Sequence, residues 1–164
     1  MALTPSETAA LIAQYAAGPD ILRAALAQVP ADALQWRPAP DEWSAHEIIV
    51  HCADSETASA HRIRVLLVEP DPVIVGYDQA AWAKRLDYHT HPLDLALAAV
   101  TAARADTTAL IETLPPEAWT QAGRHTEAGR YTAEDWLRLY AVHLQEHADQ
   151  IAANHTAFAT HGAT

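Results

Sequence analysis

The sequence near the C-terminus places two histidines four residues apart, in His143-Leu-Gln-Glu-His147. In a helix, residues at this spacing stand one turn above each other, so both imidazoles leave the same face. At about 100° per residue, that face also carries Trp136, Tyr140 and Ile151, while Arg138, Gln145 and Asp149 fall opposite. The pair therefore belongs to an apolar side that should look into the protein. Two neutral imidazoles aimed inward suit a transition-metal ion, and a third from another helix would complete a facial set. His51 meets that need, because it shares its face with Ile48, Ala58, Val65 and Leu66. Three histidines would leave a coordination position for water or substrate, the pattern of a catalytic centre. Such an ion could activate a bound thiol or a bound water. Glu146 does not make this a zincin motif, in which glutamate directly follows the first histidine.

The other histidines fit less well. His46 stands at a helix start, where solvation is expected, and His61 points away from His51. His89 and His91 sit in a connection expected to be solvated, although a second metal site there is conceivable on residue type alone. Glu47 and Asp54 flank the His51 face and are candidates to orient an imidazole by accepting its other N–H; solvated helix carboxylates are the plainer expectation. Tyr140 is a candidate donor to a bound ligand, and Arg62, three turns along the His51 face, a candidate receiver for a substrate carboxylate. Trp36, Trp43 and Trp136 read as packing residues, and Cys52 as a small buried one.

Four long helices must position these groups. Thr4-Pro5-Ser6-Glu7 is a capping box with proline at the first helical position, opening a helix to about Val29 that should bend or break near Gly18-Pro19. Ser44-Ala45-His46-Glu47 is a second capping box, for a helix running to about Val68 and stopped by Pro70 and Pro72. A short helix is expected near 78–86. Pro92 starts the third long helix, with Leu93, Leu97, Val100, Leu110, Ile111 and Leu114 as its apolar positions, ended by Pro115-Pro116. Thr132-Ala133-Glu134-Asp135 caps the fourth, which reaches about residue 158. Residues 30–43 and 117–131 read as connections, the latter with turns at Gly123 and Gly129. No segment alternates convincingly with period two, so no sheet is expected beyond a small hairpin in a connection. The fold class is all-α, a four-helix bundle with long connections carrying short extra helices.

Composition agrees. The 164 residues fit one domain, 1–164, with half of them apolar and 19% charged. A single cysteine excludes a disulfide framework or a multi-cysteine zinc site, and fits a cytoplasmic protein. No signal peptide is expected, because Glu7 comes before any long apolar run and no basic stretch precedes it, and no run of membrane-spanning length is seen. A net charge of -11 argues against nucleic-acid binding. Ten histidines are an excess for this length.

The run from Trp36-Arg37-Pro38 through Trp43-Ser44 and His51 to Asp54-Ser55-Glu56 resembles the DinB-like superfamily, in its YfiT-type branch. Tyr140-Ala-Val-His143-Leu-Gln-Glu-His147-Ala-Asp-Gln150-Ile151 is similar to the branch's second signature. Trp82 and Gly129-Arg130-Tyr131-Thr132 also fall where such proteins have similar features. The resemblance implies an up-down-down-up bundle, a zinc or nickel ion on His51, His143 and His147, and a homodimer. For activity it implies a thiol S-transferase of the bacillithiol or mycothiol type, or a related detoxification catalyst, acting on a small-molecule thiol and an electrophile. The alternatives are a metal-dependent hydrolase and a non-catalytic bundle that binds a metal or small ligand.

Overall fold

The computed structural model describes residues 3–161. Its elements are α1 (Pro5–Leu26), α2 (Ala45–Val68), β1 (Val73–Ile74), α3 (Gln79–Arg85), α4 (Leu93–Ile111), a 3-10 turn (Pro116–Thr120), β2 (Ala122–His125), β3 (Gly129–Thr132) and α5 (Ala133–His161). Both expected capping boxes are formed: Thr4 with Glu7, and Ser44 with Glu47. At the start of α5, Thr132 Oγ1 accepts from Asp135 N at 3.0 Å while the Asp135 carboxylate accepts from Thr132 N at 2.9 Å.

The four long helices pack as a ring in which α1 touches α5 and α4, and α2 touches α4 and α5. Cross-helix bonds give the directions. Leu3 N reaches Glu134 and Tyr15 O lies against Arg104 on the same level as Tyr140 O, so α1 and α5 run together. Asn154 donates to Trp43 O, which sets α5 against α2. Arg64 bonds Asp106 while His46 meets the His91 carbonyl, so α2 and α4 run together. The result is up-down-down-up, with the successive helices α1 and α2 on a diagonal.

Four sequence expectations need correction. The Gly18-Pro19 step does not interrupt α1, whose helix continues to Leu26. Gly18 instead permits close approach: a Cβ there would meet Leu144 Cδ1 at 2.9 Å and Arg104 Nη1 at 3.3 Å. The expected hairpin, β2–β3, is present, but β1 joins it in parallel, so the sheet has three strands. A two-residue strand is too short to show an alternating pattern. Gly123 is not a turn but lies within β2, where the Pro72 carbonyl would stand 2.4 Å from any Cβ. Gly129 does take the turn role, with φ +77. The helix ends also shift, with α1 and α4 three residues shorter than expected and α5 three longer.

The core falls into two apolar clusters. One centres on Leu22, Ile48, Ile49, Val50 and Ile151, the other on Tyr15, Ile63, Ile111, Trp136 and Leu137. Between them lies a charged pair, Glu56 and Arg104, at 0% and 1% exposure. Arg104 holds the Glu56 carboxylate in a bidentate clasp, donates to Tyr15 O and Tyr140 O at 2.7 and 2.9 Å, and stands 3.8 Å over the Tyr15 ring. No described helix is long and apolar enough to cross a membrane.

Candidate metal centre

Helix α2 delivers His51 from its first two turns, and α5 delivers His143 and His147 from successive turns of its inner face. The three side chains offer ring nitrogens that all lie within 4.8 Å of one another, and among the described residues they form the one such group of histidine, cysteine or carboxylate side chains. The ring centroids of His51 and His147 are 4.8 Å apart, and those of His143 and His147 4.6 Å. Three imidazoles gathered this closely are a ligand set for a divalent ion with a further position open. His51 is buried, and its Nδ1 has no hydrogen-bond partner. A buried imidazole nitrogen left unpaired costs free energy unless something coordinates it. Burial, reinforced by His147 and His143, pushes His51 down to about 3, and burial with His143 pushes His147 down to about 4. Both rings are therefore neutral at physiological pH, the form that binds metal. The donor set fits a divalent ion.

The groups behind the rings differ from those anticipated. Glu47 orients no histidine of this cluster. Its carboxylate caps α2 through Ser44, is held by Arg37 and lies 3.1 Å from His89 Nε2. Burial opposes its ionisation, but Arg37 and the cap outweigh it and lower its pKa. Asp54 accepts from the Tyr88 hydroxyl. The carboxylate nearest the cluster is Glu56, whose Oε1 stands 3.5 Å from His143 Nδ1. Burial works against its charge, and His143 and Arg104 together hold it ionised below the usual carboxylate range. On the other ring, Gln150 Oε1 lies 3.1 Å from His147 Nδ1. Gln150 thus takes the place that carbonyls occupy behind metal-binding histidines, while Glu56 stands close to His143 Nδ1, which has no hydrogen-bond partner, without bonding it. Spacing along α2 did not point to Glu56, since it lies five residues beyond His51, about 140° round the helix, and faces a ring of α5.

Tyr140 is buried, and its hydroxyl accepts from Arg62 Nη1 at 3.0 Å. Trp43 packs its ring 4.7 Å from His51, and Trp136 is fully enclosed with Nε1 donating to Ser59 O. Trp36 meets Phe158 edge-on. Cys52 is buried, and burial raises its thiol pKa, as befits an inert core residue. His46, expected to be solvated, is 9% exposed and bonds the His91 carbonyl at 2.8 Å. His89 and His91 form no second metal cluster among the described residues.

A cavity of about 220 Å³ reaches the cluster at His143 and is lined also by Ser55, Arg62, Tyr77, Leu139 and Tyr140. A larger cleft of about 560 Å³, lined by Arg37, Trp43, Lys84 and Tyr88 among others, contains none of the three histidines. The smaller space is the one placed for chemistry.

Residues 14–151 match the DinB superfamily. A protein of Bacillus licheniformis, named by inference as a metal-dependent hydrolase, is 30% identical over 140 residues, covering 83% of this chain and 78% of that one. One of Oceanobacillus iheyensis, named the same way, is 28% identical over 111 residues; this alignment covers 68% of the present chain and spans only 64% of the relative. The solved structure of YfiT from Bacillus subtilis, described as a metal-dependent hydrolase by inference and as an unusual four-helix bundle, superposes with a TM-score of 0.86. It has 25% sequence identity, with 93% of this chain and 88% of that one covered. With bundle topology, histidine cluster and sequence in accord, the chain belongs to the DinB superfamily.

Proposed function

We propose that this protein is a divalent-metal-dependent enzyme whose centre is His51, His143 and His147, and that it transfers a small-molecule thiol to an electrophile. The observation that carries the metal reading is the convergence of three imidazoles from two helices, with buried, unpartnered Nδ1 atoms on both His51 and His143. When bound, a divalent ion would supply the Lewis acidity that turns a thiol or water into a nucleophile at neutral pH. The chain's own part is to keep His51 and His147 neutral, to brace His147 from behind through Gln150 with the Glu56 carboxylate close to His143, and to bound a small cavity that admits substrate beside His143.

The choice of thiol over water follows from the carboxylates near the centre. Glu56 is committed to Arg104, Asp54 to Tyr88, and Glu47 to Arg37 and the helix cap. None of the three is free to serve as the acid or base that ester or amide hydrolysis uses beyond activation of the water, whereas conjugation needs only the coordinated thiolate. In the transfer, the sulfur bonds to the electrophilic carbon as the bond to the leaving group breaks. The thiol proton and the leaving group depart together. Hydrolysis is the second reading, favoured by the names of the relatives.

Elemental analysis of purified protein should find about one zinc or nickel per chain. The loaded protein should accelerate conjugation of cysteine-type thiols to a chromogenic aryl halide, and His147→Ala should lose both metal and rate. Activity that is unchanged after complete chelation would falsify the proposal, and turnover of ester or amide substrates alone would select hydrolysis.

A further inference from the structure

We propose that Arg62 receives the anionic group of the ligand, so that the molecule taken into the cavity beside the three histidines carries a carboxylate as well as the group that meets the centre. This rests on the metal reading above.

Five other arginines, Arg23, Arg37, Arg64, Arg104 and Arg138, each pair with a carboxylate. Arg62 has no carboxylate partner among the described residues; the exposed Arg85, Arg124 and Arg130 share that trait, but of these four only Arg62 is half-buried and lines the cavity with His143. Neutral oxygens hold it instead: Nη1 donates to Tyr140 Oη at 3.0 Å and Nη2 to Val75 O at 2.7 Å. The Tyr77 ring lies 5.5 Å from its guanidinium carbon. These contacts fix the guanidinium on the wall of the 220 Å³ cavity that also contains His143. A guanidinium has five N–H groups in a planar fork suited to carboxylate, and only two are engaged here.

The local charge balance points the same way. Imidazole ligands bring no charge to offset that of a divalent ion, and Arg62 adds a second positive site on the same cavity. Glu56, behind His143, is neutralised by Arg104. Glu127, the acid that lines the cavity, is exposed, with its carboxylate over Gly76, where water and salt screen it. A cavity of this size excludes large ligands. It suits a short chain with a metal-binding atom at one end and a carboxylate at the other.

The test uses cobalt(II)-loaded protein, in which thiolate coordination gives a charge-transfer band, and matched probes: 3-mercaptopropionate against 3-mercapto-1-propanol, and 6-mercaptohexanoate against 6-mercapto-1-hexanol. At least one carboxylate should bind about tenfold more tightly than its alcohol. Arg62→Met should abolish that preference and Arg62→Lys should keep part of it, both with unchanged cobalt affinity. Equal affinities in the wild type, or a preference that survives in Arg62→Met, overturns the assignment. Failure to take up cobalt would instead overturn the metal reading. Arg62 is then judged on the metal-free protein by the fluorescence of Trp82, which stacks 4.4 Å from Tyr77. There too, loss of an anion preference in Arg62→Met supports the role, and no preference removes it.

Discussion

Replacing Glu56 by glutamine keeps the shape of the side chain and removes the charge that faces both Arg104 and His143. Two separate losses should follow. Arg104, at 1% exposure, would be left as an uncompensated buried charge. Breaking a buried pair in this way costs about 3–5 kcal/mol. The lower end applies, because Tyr15 O and Tyr140 O continue to accept from the guanidinium. For a domain of this length about 3 kcal/mol lowers Tm by roughly 6–12 °C. The second loss is at the metal, where removing the carboxylate behind a histidine ligand weakens affinity by roughly 10–100-fold. Denaturant unfolding of chelated protein measures the first loss free of any stabilisation by bound ligand. Competition against a chromophoric chelator measures the second. The double variant Glu56→Gln with Arg104→Met separates them. Replacing both charges by groups of similar volume should bring stability back to within about 1–2 kcal/mol of wild type, while metal affinity stays low. If affinity recovers together with stability, Glu56 acts on the metal only through the fold. If single Glu56→Gln binds metal as wild type does, the residue has no part in the centre.

The pH dependence of the metal-free protein provides another check. His51 and His147 have folded values near 3 and 4, below the ordinary value near 6.5 of the unfolded chain. Unfolding therefore takes up protons in acid, so stability is whole above about pH 6.5 and is lost as the pH falls towards 4 and then 3. At about 1.4 kcal/mol per pH unit for each ring, chelated protein should lose roughly 2–4 kcal/mol between pH 7 and pH 5. His51→Ala should shallow that slope, and a flat profile would refute the burial of neutral rings. Gly18→Ala should destabilise by about 1–3 kcal/mol despite alanine's better helix propensity. The added methyl would press on Leu144 at 2.9 Å, so a gain in Tm would show that α1 and α5 are less closely packed.

Much of this architecture was legible from local signals. Capping boxes, prolines and the 3.6-residue period located α2 within a residue, and one-face arguments selected His51, His143 and His147. The polar layer behind them was not legible. Arg104 lies in an alanine-rich helix where an arginine reads as solvated, since buried arginine is rare unless paired. Its partner is 48 residues away and on another helix. Glu47 and Asp54 drew notice because they neighbour His51 along the helix, but their partners, Arg37 and Tyr88, come from the connections. The β1–β2 pairing depends on Pro72 meeting Gly123 across a long stretch of chain, which no local pattern encodes. His46 looked solvated because a helix start is usually exposed, yet the connection before α4 folds back over it.

The diagonal placement of α1 and α2 has a consequence of its own. Because these successive helices are not neighbours, the chain between them must cross the end of the bundle, and that crossing sets the Trp43 ring against His51. The same crossing also ties the two ligand-bearing helices together, through the Trp43 carbonyl that accepts from Asn154 of α5 and through Trp36 against Phe158. Substitutions there would reach the His51 side of the centre, whereas the cavity beside His143 is walled by α2, α5 and the chain around Tyr77. The His51 ring thus takes an outer contact from one connection, and the cavity beside His143 takes part of its wall from another.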